Sequence, residues 1–250
     1  MGRLIRWRQL AAAPLIALAL GAWTSKEEAF KDLPVGKKVS NPLPIGKMHV
    51  PLPEGDWVVL GRGVSEAGST GGKATAEGTM LTLRLGNIVG GKLRGYVHLY
   101  ATLEYPRVSK WTKSKDCSRT DIHLVQNEEL PQVHSFFCWT VNHYAMSFNP
   151  KESSSMEASR YFKDNNVSFP DTMLGVKYIM AVGPKYLAAT YHHNPEFEGI
   201  APSRNSKWDQ NDWHKSRIHQ FPDKAQYVEK TKTWAAGWRE KVKADFAKEP

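Results

Sequence analysis

Thr79-Met-Leu-Thr-Leu-Arg-Leu85 alternates apolar and polar residues with period two, and Leu93, Gly95, Val97, Leu99, Ala101 and Leu103 repeat the alternation. Successive side chains of a strand point to opposite faces, so each segment predicts a strand with one buried face. Gly90-Gly91 lies between them and predicts an antiparallel hairpin. A plain two-residue turn at these glycines pairs Leu83 with His98 and Leu85 with Tyr96, setting leucines beside the Tyr/His set of the other strand. A one-residue shift aligns Leu81, Leu83 and Leu85 with Val97, Leu99 and Ala101. The pattern therefore predicts a three-residue loop or a glycine bulge. The competing arrangement is a strand buried on both faces.

Further strands are predicted at Asp121–Val125, Ser135–Val141, Met173–Val182 and Tyr186–Tyr191, the last two joined by a hairpin turn at Gly183-Pro184-Lys185. Ser153 to Asn165 reads as a short helix, with the serine run as N-cap and Glu157 complementing the N-terminal dipole. From about Asp223 to Lys248, Tyr227, Thr231, Trp234, Ala235, Trp238, Val242 and Phe246 recur at spacings of three and four. They form one apolar stripe, with Glu229, Lys232, Glu240 and Lys243 off it. This predicts a helix lying across the sheet with two tryptophans as core anchors. The rival is a membrane-surface or partner-binding helix. Burying a large aromatic stabilises by about 2–3 kcal/mol, which favours the buried arrangement.

The start of the chain follows another logic. Arg3, Arg6 and Arg8 precede the apolar run Leu10 to Leu20, and small residues follow before Lys26-Glu27-Glu28. This is the form of a secretory signal peptide, assigned here to residues 1–22, with cleavage after Ala19 or Gly21. The run is short for a span of about 20 apolar residues, and Pro14 interrupts it. The alternative is an uncleaved N-terminal anchor. Residues 23–56 are rich in Pro, Gly and Lys, as in Leu33-Pro34-Val35-Gly36 and Asn41-Pro42-Leu43-Pro44-Ile45-Gly46, and read as an extended tether or edge-hugging segment. Residues 57–250 are expected to form a single α+β domain. Its Gly/Ser/Thr-rich stretch 65–78 reads as a loop, and Gly71-Gly72-Lys73 lacks the P-loop pattern.

Charge adds little. The formal net charge is +9, near +6 without the three arginines of the leader (9 − 3). Lys and Arg alternate with 25 acids and form no block of five, so nucleic acid is not an expected partner. An apolar content of 41% with nine tryptophans suffices for a core.

Cys117 and Cys138 are the two cysteines of the chain, and in an exported protein a pair predicts one disulfide. Closing a loop of about 22 residues stabilises by roughly 3 kcal/mol in the loop-entropy picture. A Cys138 nucleophile flanked by His134 and His143 is the rival reading, opposed by the apolar strand pattern Phe136-Phe137-Cys138-Trp139.

Candidate chemistry rests on two places. His192-His193 on a strand point to opposite faces and rarely share one metal, and no accompanying ligand motif exists. Trp208-Asp-Gln-Asn-Asp-Trp-His214 sets aromatics beside polar groups, as a sugar or peptide surface does, and lacks an EF-hand pattern. Trp208, Asp212, Trp213, His214, His192 and His193 are thus the candidate ligand-binding residues. No serine-hydrolase elbow occurs, and no catalytic residue, cofactor or metal site is assigned. Asn166-Val167-Ser168 is formally a glycosylation sequon.

Val50-Pro-Leu-Pro-Glu-Gly-Asp-Trp57-Val-Val-Leu-Gly61 resembles a short opening motif of exported bacterial proteins without an assigned function. The resemblance covers these residues alone and implies no catalytic group. The expected whole is an antiparallel sheet of hairpins, stapled by Cys117–Cys138, with the long C-terminal helix packed on one face. The expected role is an exported, non-enzymatic binding or envelope-associated domain, its partner an envelope protein, peptide or glycan. The alternatives are an envelope hydrolase using His123, His192, His193 and nearby carboxylates, or a membrane-anchored protein with the N-terminal helix retained.

Overall fold

A computed structural model describes residues 31–66, 76–77, 79–103, 107–108 and 111–248. The proposed signal peptide 1–22 and the Ser69–Lys73 glycine loop lie outside the described residues. In chain order the strands are β1 (Leu43–Ile45), β2 (Met48–Val50), β3 (Trp57–Glu66), β4 (Ala76–Glu77), β5 (Thr79–Val89), β6 (Lys92–Thr102), β7 (Arg107–Val108), β8 (Leu124–Glu129), β9 (Phe136–Ala145), β10 (Thr172–Val182) and β11 (Lys185–His193). The helices are α1 (Ser153–Asp164) and α2 (Pro222–Ala247). Seven strands form one antiparallel sheet in the order β3-β5-β6-β11-β10-β9-β8.

The β5–β6 hairpin has the shifted register. Gly90 and Gly91 make a two-residue turn between Val89 and Lys92, both at positive φ, as a primed hairpin turn requires. Ile88 still faces Leu93, but Asn87 faces Gly95, so Arg94 is the extra residue of a bulge. The bulge brings Leu85 opposite Val97, Leu83 opposite Leu99 and Leu81 opposite Ala101. It lies beside Gly95, four residues beyond the turn. The β10–β11 turn is likewise two residues, Gly183-Pro184, with Val182 facing Lys185.

The side chains of Val59, Leu85, Val97, Tyr191, Val176 and Val141 form one cross-strand row on the face that α2 covers. Tyr178 donates its hydroxyl hydrogen to the Ala235 carbonyl at 2.7 Å, tying the sheet centre to the helix. Lys243 and Arg239 reach Glu128 at 2.9 and 3.2 Å and tie the helix to β8.

The opposite face is divided. α1 packs on β3 and β5, where Leu60, Tyr96, Phe162 and Met173 form one apolar cluster. A Cβ on Gly61 would stand 2.0 Å from the Ser154 carbonyl oxygen, so glycine is what admits the helix. A second cluster surrounds the Cys117–Cys138 disulfide, whose Cα atoms are 5.8 Å apart. A disulfide joining the chain's two cysteines marks a non-cytoplasmic setting. Among the described residues no helix is long and apolar enough to cross a membrane.

One local reading is corrected. The N-cap of α1 is Glu152 rather than a serine. Its carboxylate accepts from Ser154 and Ser155 at 2.9 and 3.4 Å, while Glu157 accepts the Arg62 backbone N–H at 2.9 Å. The Pro/Gly-rich stretch, from Leu33 onward, belongs to the same compact unit as the sheet. Gly36 and Val39 donate to the edge strand at Val59 and Trp57. The chain then folds the β1–β2 hairpin, which buries Leu43, Ile45, Met48 and Val50.

Candidate functional site

Trp57, Asn87, Gly95 and His193 are successive cross-strand partners on the α2 side of the sheet. Gly95 carries no side chain, and the Trp57 ring fills that space: a Cβ there would lie 3.0 Å from Cη2. The indole N–H of Trp57 is anchored on the Pro53 carbonyl at 2.8 Å, and the Asn87 amide donates to the Asp56 carbonyl at 2.9 Å. Together with α2 this row bounds a cleft of about 410 Å³. Tyr227, Lys230, Thr231, Trp234 and Trp238 line it from the helix, at spacings that keep them on one side.

Trp234 and Trp238 therefore do not act as the core anchors that their spacing predicts. They are half-buried at the edge of the stripe, while Tyr227, Ala235, Val242 and Phe246 are buried. Their rings stack with centroids 5.2 Å apart. Lys241 caps the outer face of the pair at 4.7 Å, and His193 meets Trp234 edge-on at 4.5 Å. Tyr191 abuts both indoles and donates its hydroxyl hydrogen to the Pro51 carbonyl at 2.9 Å. The cleft thus presents indole edges rather than open ring faces, and its walls are held in place by packing.

His193 sits on the floor, with Nε2 buried and unpartnered. Burial pushes its pKa down to about 4, against the pull of Glu198, so the ring is a neutral donor and acceptor at pH 7. Lys230 and Glu198 form an exposed ion pair at the rim. His192 points to the opposite face, as neighbouring strand residues must, against Tyr96 and Tyr144.

The segment 208–214 lies elsewhere and is not a uniform surface. Trp213 is 2% exposed and packs with Leu174, Tyr227 and Val228 under the start of α2. Its polar neighbours explain this: Asn211 caps the Trp213 N–H at 2.9 Å and donates to Thr172 Oγ1 at 2.9 Å. Asp212 is also buried and accepts the backbone N–H and Nε of Arg204, each at 3.1 Å. Burial alone raises its pKa, but the Arg204 backbone N–H and guanidinium outweigh this and hold it below the ordinary value. Trp208 and His214 stay accessible and gather around His143, with ring centroids 4.0 and 5.7 Å away.

His123 joins His143 there, 6.3 Å between centroids. His123 Nε2 donates to the Trp213 carbonyl at 2.8 Å and His143 Nε2 to the Trp208 carbonyl at 3.3 Å. Both are clasps on the loop backbone. Burial lowers these pKa values to about 4 and about 3. His123, His192 and His193 thus occupy three separate places. Among the described residues no group of three or more His, Cys, Asp or Glu side chains is placed to hold a metal ion.

Sequence reasoning missed Trp57, Asn87, Gly95 and the outward role of Trp234 and Trp238. The signal present was Gly95, a glycine at an apolar position of a strand, which often marks close approach of another group. Comparison with protein-family models, with curated proteins and with solved structures yields no match. The resemblance of the Val50–Gly61 stretch therefore carries no family assignment.

Proposed function

We propose that this chain is an exported, non-enzymatic binding domain of the periplasm or the extracellular space, and that its ligand occupies the cleft beneath α2. One observation carries the reading: an aromatic-lined cleft of about 410 Å³ with the unpartnered His193 Nε2 at its floor and Asn87, Thr231 and Lys230 among its lining. Ligand sites are commonly of this size and make-up, apolar walls with a few placed polar groups. A peptide or glycan segment suits it, since indole edges and amides favour carbonyl and hydroxyl oxygens. The disulfide supports the oxidising compartment. A hydrolytic site needs a base oriented by a partner, and among the described residues no carboxylate hydrogen-bonds His123, His192 or His193.

Tryptophan fluorescence titrated with a panel of short peptides and oligosaccharides tests the proposal. A saturable response is expected from at least one class, weakened at least tenfold by Trp234→Ala and unchanged by Trp208→Ala. No saturable response from either class, or one that survives Trp234→Ala, overturns it.

A further inference from the structure

We propose a second site, for a small oxyanion, on the opposite face of the sheet, where His98 and His192 lie between Arg84 and Lys177. Arg84, His98, Thr190, Lys177 and Thr140 are successive partners across five strands. Tyr96, His192, Gly175 and Asn142 form the adjoining row. On this side α1 packs against β3 and β5, and the turn Lys115–Ser118 against β8 and β9. The polar rows run between those two supports.

Polar atoms there are buried yet incompletely bonded. His98 Nε2, His192 Nδ1 and Asn142 Oδ1 are all buried without a partner. A buried polar atom left unpaired costs about 1–3 kcal/mol, so the two imidazole nitrogens call for an acceptor group; Asn142 Oδ1, itself an acceptor, takes no part in holding an anion. Gly175 separates His192 from Asn142 in this row, and His192 Nδ1 lies 3.0 Å from where its Cβ would stand. The Tyr144 ring leans over it, 2.6 Å from where a Cβ would stand.

The arrangement of charge selects the ligand. Arg84 bonds Glu152 at 2.9 Å and Lys177 bonds Asp116 at 2.6 Å. In each pair the cation is the more enclosed member: 8% against 38% exposed, and 25% against 33%. The enclosed cations make the field at the two imidazoles positive. The histidines register it: after burial, Arg84 and Lys177 are what lower His98, to about 3. His192 is lowered by burial first, then by His98, His193, Arg84 and Lys177. Arg84 spends one hydrogen bond each on Ser154, Tyr96 and Glu152, which leaves donors over from its five. Two imidazole N–H groups, a guanidinium and an ammonium suit a carboxylate or a phosphate monoester.

The test is titration of the full exported chain with inorganic phosphate and, separately, succinate at matched ionic strength. Calorimetry and imidazole 15N NMR are the readouts. A saturable shift of the His98 and His192 signals is expected with at least one anion. Phosphate alone identifies a phosphate group, and succinate alone a carboxylate. Lys177→Met, a partly exposed position, is expected to weaken binding at least tenfold, and Trp234→Ala in the other cleft to leave it unchanged. Failure of both anions to move the two histidines, or full affinity in Lys177→Met, overturns the site. Neither outcome bears on the cleft beneath α2.

Discussion

The two faces of the one sheet solve different problems. The face under α2, which packs on β9, β10 and the β1–β2 hairpin, has apolar central rows: Leu83, Leu99, Ala189, Tyr178 and Trp139 are partners across five strands, all buried. The other face has two separate apolar clusters, under α1 and around the disulfide, with Arg84, His98, Thr190, Lys177 and Thr140 between them. One continuous apolar layer needs no internal charge. Two separated layers leave a strip that must be polar, and polar strips carry groups with chemistry to offer. The covered face makes its cleft only at the margin, where Gly95 interrupts the row and the helix turns its tryptophans outward.

The largest test of this contrast is acid. His98, His123, His143 and His193 are held at about 3, 4, 3 and 4, from an ordinary 6.5, with burial the leading cause on both faces; His192 is lowered as well. The folded state binds fewer protons than the unfolded chain between those values and 6.5, so stability rises with pH across that window and is lost on acidification. Each such histidine contributes a slope of at most about 1.4 kcal/mol per pH unit. The melting temperature is expected to hold from pH 8 to 7 and then fall steeply towards pH 4. A flat profile over that range would show that the histidines are not buried neutral on either face.

Next in size is the covered core. Phe137 is fully buried and stacks parallel to Tyr178 at 6.3 Å. Phe137→Ala is expected to cost about 3–5 kcal/mol, read by denaturant unfolding. The divided face depends instead on its staple. Replacing Cys117 and Cys138 by alanine is expected to cost about 3 kcal/mol in the same assay. A cost below about 1 kcal/mol for Phe137→Ala would reverse the ranking of the two, and one below about 1 kcal/mol for the cysteine pair would show that the divided face does not depend on its staple.

How much of this was readable in the chain depends on range. The hairpins were, because period-two alternation and glycine turns are local; so were α2, from its three-and-four spacing, and the disulfide, from a count of two cysteines. The β1–β2 hairpin was not, because its prolines and glycines mask a buried set of Leu43, Ile45, Met48 and Val50. The tryptophans misled in both directions. Trp213 stands among polar residues in sequence, yet those residues cap its backbone and let the ring go inside. Trp234 and Trp238 fit the apolar stripe but stand at its edge, where whether they meet sheet or cleft depends on Gly95, far away in sequence. The cleft joins segments from Pro53 to Trp238, and no local pattern encodes such a convergence.

The finest test exchanges one atom in opposite directions on adjoining strands. Val176 on β10 lies in the covered layer at 0% exposure, and Thr190 on β11 lies in the polar strip at 5%. Valine and threonine share a shape, so the exchange varies polarity with little change of volume. Val176→Thr puts a hydroxyl between the Val141 and Tyr191 side chains, and is expected to cost about 1–3 kcal/mol. Thr190→Val removes a hydroxyl from a strip that keeps its flanking ion pairs, and is expected to change stability by no more than about 0.5 kcal/mol. Chemical denaturation of the two variants, with unchanged m-values as the check on the fold, reads both. Equal costs would mean that the strip is as intolerant of change as the core, and the two faces would then differ in composition without differing in energetic character.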